Sequence, residues 1–269
     1  MLAERHAEEE LELPVLPSTL AGALSLRGDD PDCFDKLLDL AKGDPIYAAR
    51  LVRLANSAQY FRRTGARSAS QALTTVGARA ARDLLVGHAL CQVFLPRRAE
   101  ERRLWLHALQ VAVASRELAS ATGMADPEEA HFVGLVHDLG RFRFFHARPE
   151  KAARCASHLE DLDAEHLAFG LDHAQAGAEL AQAWQMPESV VEVLLHHHDE
   201  PGSGPSPLTE LVRQADRISQ ALLGEGKDPY AEAVQALAGL SDLPEGELLA
   251  LAERSELESA SLAHALRLG

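Results

Sequence analysis

Gly43-Asp-Pro-Ile-Tyr-Ala-Ala-Arg-Leu-Val-Arg-Leu-Ala-Asn-Ser-Ala-Gln-Tyr60 decides the fold class. Asp44 offers a side-chain acceptor at a helix N-cap, and Pro45 follows where a backbone N–H would have had no partner in any case. Asn56 suits the far end of the same helix, and Tyr60 is expected to pack under the turn that follows. The Asp/Ser-Pro start recurs at Asp30-Pro31, Asp126-Pro127, Ser206-Pro207 and Asp228-Pro229. Apolar periodicity ends at Gly43, Gly123, Gly140 and Gly224, where C′ glycines belong. These signals predict helices near 18–26, 31–42, 45–56, 68–76, 78–94, 98–121, 127–139, 147–159, 163–169, 173–184, 187–198, 207–223, 229–239 and 245–266. Ala and Leu dominate the apolar residues, and Ile46 and Ile218 are the only isoleucines, so strand formers are scarce. The expected fold is all-α, a multi-helix bundle.

Hydrophobic residues make up 46% of the 269 and charged residues 25%, enough for a sizeable core and too apolar for a disordered chain. Twenty-six Lys and Arg against 41 Asp and Glu leave a net charge of −15, which argues against direct DNA binding and against attraction to an anionic membrane. No apolar run reaches the roughly 18 residues of a membrane span, and the acidic start Met1–Glu10 is unlike a signal peptide. Cys33, Cys91 and Cys155 are far apart with no CxxC pair, so a reducing cytoplasm is expected. Asp199-Glu-Pro-Gly-Ser-Gly-Pro-Ser-Pro207 reads as a loop.

The chemistry of interest lies in the histidines. His107 sits mid-helix in Leu104–Val111, His137-Asp138 closes the apolar run from Phe132, and His173 follows Asp172 at a helix start. His196-His197-His198 ends the run from Val190, and Asp216 lies within the helix 207–223. Imidazole and carboxylate are preferred ligands of zinc, iron and manganese, and buried polar groups of this kind are costly unless paired or metal-bound. Successive helical residues rotate by about 100°, so two of the three adjacent histidines can face inward while one faces out. His88 is expected to hydrogen-bond within the core. His131, His146, His158, His166 and His264 read as surface or helix-end residues. The cluster Arg62-Arg63, Arg67, Arg79 and Arg82 is expected to pair with carboxylates.

In their order, His107, His137-Asp138 and Asp216 resemble the signature of the HD superfamily of metal-dependent phosphohydrolases. His173 and His197-His198 resemble the extra ligands of its HD-GYP branch, which holds two or more metals and hydrolyses cyclic di-GMP. The GYP tripeptide is missing, Glu200-Pro-Gly-Ser-Gly-Pro205 standing in its place, and Arg103 occupies the position one turn before the first histidine where some relatives carry an acid. The segments Leu13–Ser18, Gly43–Tyr60 and Ser70–Gly77 resemble the HDOD domain, a bacterial signalling module. That resemblance implies a domain over 11–223, with an N-terminal helical part (11–95) packed on an HD-like part (98–223), followed by a helical tail (224–269).

The resemblance implies His107, His137, Asp138, His173, His197, His198 and Asp216 as ligands of one or two divalent ions (iron, manganese or zinc), with His197 and His198 inward. It implies a regulatory protein that meets a protein partner of a signalling pathway, gated by a bound metal or nucleotide. The alternative, a metal-dependent phosphohydrolase or phosphodiesterase acting on a cyclic or linear nucleotide, would use Asp138 as the bridging residue. Without the GYP loop, little cyclic-di-GMP hydrolysis is expected.

Overall fold

The computed structural model describes residues 11, 13–15, 22, 26, 32–61, 65–155, 162–200, 206–224, 226–238 and 241–268. Among these there is no strand, and no helix is long and apolar enough to cross a membrane. The expected helix 18–26 lies largely outside the described residues, as do Asp30-Pro31, Arg62-Arg63 and His158.

The helices are α1 (Cys33–Gly43), α2 (Pro45–Ala55), α3 (Ala69–Val93), α4 (Ala99–Thr122), α5 (Pro127–Val136), α6 (Leu139–Ala147), α7 (Pro149–Cys155), α8 (Leu162–Phe169), α9 (His173–Ala183), α10 (Glu188–His196), α11 (Pro207–Leu223), α12 (Pro229–Ala236) and α13 (Glu245–Leu266). The proline-marked starts cap as expected. Asp44 accepts from the backbone N–H groups of Ile46 and Tyr47, Asp126 from Glu128 and Glu129, Ser206 from Thr209, and Asp228 from Ala231. Gly77 divides α3 where a break was predicted, because its φ of 83° is open to glycine and strained for other residues. Asn56 holds its helix end by gripping Ala66 on both backbone groups, which closes the intervening loop.

The glycine stops hold less uniformly. Gly123 takes the left-handed conformation, but Gly43 is the last residue of α1 and Gly224 is extended. Gly140 ends nothing. The expected helix 127–139 is wrong here: α5 stops at Val136, His137 and Asp138 form a turn, and a separate, unexpected helix, α6, begins at Leu139, whereas the expected 147–159 is present as α7 as far as the described residues reach. Leu139 through Phe145 are all buried, including Arg141 and Arg143, so α6 has no polar face to betray its period. Gly140 is required for proximity. A Cβ there would overlap the His173 carbonyl oxygen and lie 2.7 Å from its carbon and 2.8 Å from the Gly177 nitrogen, so α6 crosses α9 with backbones in contact.

Helix α4 runs through the centre, packed against α5, α11 and α13, and is buried on nearly every side. It carries two polar groups of side chains. His107 belongs to the first. Arg116, nine residues on, therefore lies about 14 Å along the axis and on the opposite face. Arg116 donates to Asp83 of α3 at 2.6 Å and to Glu258 of α13, all three side chains being buried. His131, expected at the surface, is 2% exposed, with its Nδ1 3.5 Å from Asp83. This face of α5 turns onto the ion triad. His88 pairs within the core as expected, with Asp44 and Arg50. Of the arginine cluster, Arg82 pairs with Glu128.

Candidate metal centre

Five elements bring the seven sequence-identified residues together. His107 comes from α4, His137-Asp138 from the turn between α5 and α6, and His173 from the first position of α9. His197-His198 comes from the end of α10, and Asp216 from the middle of α11. The break after Val136 now has a purpose. Asp138 stands at the N-cap of α6 but caps no backbone N–H; its carboxylate points into the cluster instead.

Every inward ring except His198 is held by its Nδ1. His137 Nδ1 is 2.8 Å from the Gly134 carbonyl, and His197 Nδ1 is 2.9 Å from the Leu194 carbonyl. His173 Nδ1 is 2.6 Å from Glu165 Oε2. His107 Nδ1 is 2.9 Å from Ser219 Oγ, whose own proton goes to Gln110 Oε1 at 2.7 Å, so the serine accepts from the ring. Carbonyl, carboxylate and this hydroxyl can only accept, which places each ring proton on Nδ1 and a lone pair on Nε2. Such anchoring is how proteins orient histidine ligands.

The Nε2 atoms converge in two groups. His107 and His137 approach to 3.2 Å, Asp216 Oδ1 lies 3.2 Å from His107, and Asp138 Oδ2 is 3.6 and 3.7 Å from the two rings. On the other side His173 lies 3.3 Å from His197 and 2.8 Å from His198, while Asp138 Oδ1 is 3.2 Å from His173. In the His107–His137 and His173–His197 contacts two unprotonated nitrogens meet with no hydrogen to share. Ligands bound at about 2.1 Å to one ion sit about 3.0–3.4 Å apart, so the donor chemistry and spacing fit a cation in each group. Asp138 spans both, one oxygen to each. His196, expected to face outward, pairs with Asp199 at the surface.

Charge state follows from surroundings. Burial works to raise the Asp138 carboxyl, but Arg141, His137 and His173 outweigh it and hold it well below the usual carboxylate range. Asp216 is also lowered, burial being overcome by His107 and His137. Burial pushes His137 down to about 4 and His198 to about 2, and lowers His173 and His131. Asp138 and Asp216 are thus charged and His137, His173 and His198 neutral at neutral pH, the forms that bind a metal. A stability consequence has a definite sign. Between His137's folded value near 4 and its ordinary 6.5, the unfolded chain binds more protons, so stability rises with pH across that window. The metal-free protein is expected to keep a constant melting temperature above pH 6.5 and lose it progressively toward pH 4. A melting temperature that climbs on acidification would mean these rings are protonated in the fold.

Some participants have no signal of their own in the sequence. Glu165 of α8 fixes His173 and accepts from Arg141, which also donates to Asp138 Oδ2 at 2.8 Å. Gln220 holds Asp216 Oδ2 at 3.1 Å. Two openings flank the cluster. A cavity of about 230 Å³ runs from His107 and Arg141 past Leu104, Phe144, Phe145 and Leu223, and a cleft of about 530 Å³ is lined by His197, His198, Asp216, Arg217 and Gln220.

The HDOD domain model matches residues 13–200. An uncharacterized protein of Treponema pallidum is 28% identical over 249 residues, covering 88% of this chain and 47% of that protein. Ribonuclease Y of Thermus thermophilus is 28% identical over 134 residues, 50% of this chain and 19% of that one. The chain thus spans about half the length of the first relative and a fifth of the second. Among solved structures, an HDOD domain protein of unknown function from Geobacter sulfurreducens superposes with a TM-score of 0.71 at 25% identity, over 94% of this chain and 93% of that one.

Proposed function

The chain belongs to the HDOD family, and from that premise we propose a bacterial, cytoplasmic regulatory protein whose metal centre is complete and competent for phosphoester hydrolysis. The observation that carries this reading is that Asp138 joins two donor groups, one with His107 and His137 and one with His173, His197 and His198, while Asp216 Oδ1 lies 3.2 Å from His107. Divalent ions held there would supply Lewis acidity and an activated water for attack at phosphorus. The protein's share is to hold the ligands. Ser219, Gly134, Glu165 and Leu194 fix the rings, and Arg141 keeps Asp138 charged while Glu165 balances Arg141. Completeness of the donor set raises the hydrolase reading above the purely regulatory one.

Loaded with manganese, iron or zinc, the protein is expected to bind about two ions and to turn over a phosphodiester such as bis-p-nitrophenyl phosphate. His137→Ala should reduce turnover by at least about 100-fold with parallel loss of metal. Metal without turnover on diesters, monoesters or dinucleotides would leave the regulatory reading, in which the ion gates a surface for a signalling protein. One observation favours that outcome: the loop after Asp199 carries no aromatic or basic side chain to position a cyclic dinucleotide.

A further inference from the structure

Four arginines surround the metal centre, and three are already committed. Arg141 is buried between Asp138 and Glu165. Arg213 donates to the carbonyls of His196, His197 and Glu200 and to the Glu210 carboxylate, so it closes the end of α10 onto α11. Arg103 donates to the Leu223 carbonyl, capping the end of α11. Arg217 differs. It lies on α11 beside the ligand Asp216 and lines the same cleft as His197, His198 and Gln220, half-buried, with no hydrogen bond or ion pair to any described residue.

Among the described residues none pairs with Arg217, and the nearest acids are engaged elsewhere. Asp216 turns Oδ1 to His107 and Oδ2 to Gln220, and Asp199 pairs with His196. Two divalent ions against the two carboxylates Asp138 and Asp216 would leave the centre net positive, and the guanidinium adds to it. Only an anion answers that charge, and the guanidinium fork matches the paired oxygens of a phosphate. The other three arginines around the centre are engaged in holding its helices and ligands in place.

We infer that Arg217 is the phosphate-binding residue of this centre, gripping non-bridging oxygens of a phosphate or phosphoester that enters through the cleft between α10 and α11. The inference rests on the metal-centre reading above, and it specifies the face from which the substrate comes. A phosphoryl group entering from this side meets His197, His198 and Asp216 together. Its organic group then projects toward solvent, so the site reads the phosphate closely and the remainder loosely.

The test uses inorganic phosphate binding to the manganese-loaded full chain, followed by calorimetry, alongside elemental analysis of each variant. Arg217→Gln should load the same metal, melt at the same temperature and bind phosphate at least tenfold more weakly, and Arg217→Lys should recover part of the loss as a point charge without the fork. With a turnover substrate, the same change should appear chiefly in KM. Equal phosphate binding by wild type and Arg217→Gln overturns the assignment while the metal centre stands. Failure of the wild type to load metal overturns both together. Phosphate binding that depends on Arg217 in a protein without turnover upholds the anion site and sinks only the hydrolase reading.

Discussion

Asp138→Ala protein prepared with manganese, iron or zinc is expected to carry less than about a tenth of the wild-type metal, with both ions lost together. No other ligand has this effect, because Asp138 alone gives an oxygen to each donor set: Oδ2 to His107 and His137, Oδ1 to His173. The same change removes one of the carboxylates that pair with buried Arg141, Glu165 being another. Removing one partner of a buried ion pair costs about 3–5 kcal/mol, so the variant should also be markedly less stable. Asp138→Asn separates the two consequences, since it preserves volume and one acceptor while removing the charge. Retention of stoichiometric metal in Asp138→Ala would move the site elsewhere.

Gly140→Ala is the harshest single methyl the fold can be given. The new Cβ would coincide with the carbonyl oxygen of His173 and press on Gly177, and these are backbone atoms that cannot rotate aside. Relief requires α6 and α9 to separate, which carries Asp138 away from His173. A loss of about 3 kcal/mol or more is expected, a fall in melting temperature of roughly 6–12 °C, together with reduced metal in the His173 group. Gly246→Ala is the control: nothing lies within 4 Å of its Cβ, and alanine in a helix should be neutral or stabilise by about 0.5–1 kcal/mol. If the two variants melt alike, the crossing is looser than the structure shows.

What could be read ahead of the structure follows a physical division. Helix starts were legible because capping is local: Asp44, Asp126, Ser206 and Asp228 satisfy N–H groups two or three residues away. The helices α11 and α13 came out residue for residue, since each has a marked start and a clear end. Helix α6 did not, because burial on all sides erased its periodicity, and Gly140 mimicked a stop while serving a contact 33 residues distant in sequence. The candidate ligands stood out as histidines and acids in apolar runs, and these seven side chains lie close together in the fold. Glu165, Ser219 and Gln220 look like any surface polar residue until the chain folds. His131 was misplaced for the same reason in reverse: its partners, Asp83 and Arg116, come from other helices.

The two polar groups of α4 point away from each other, and this arrangement bears on how such a chain can change over generations. His107 and its companions form the candidate metal centre, whereas Arg116, Asp83 and Glu258 tie α3, α4 and α13 together on the far face with no shared side chain. A lineage can therefore trade its metal ligands away one at a time for apolar residues while the other face keeps the helices assembled. Ancestors with working metal sites and descendants that serve only as scaffolds would then share one architecture. The ion triad has no such freedom, and drift there would end the fold before it altered the chemistry.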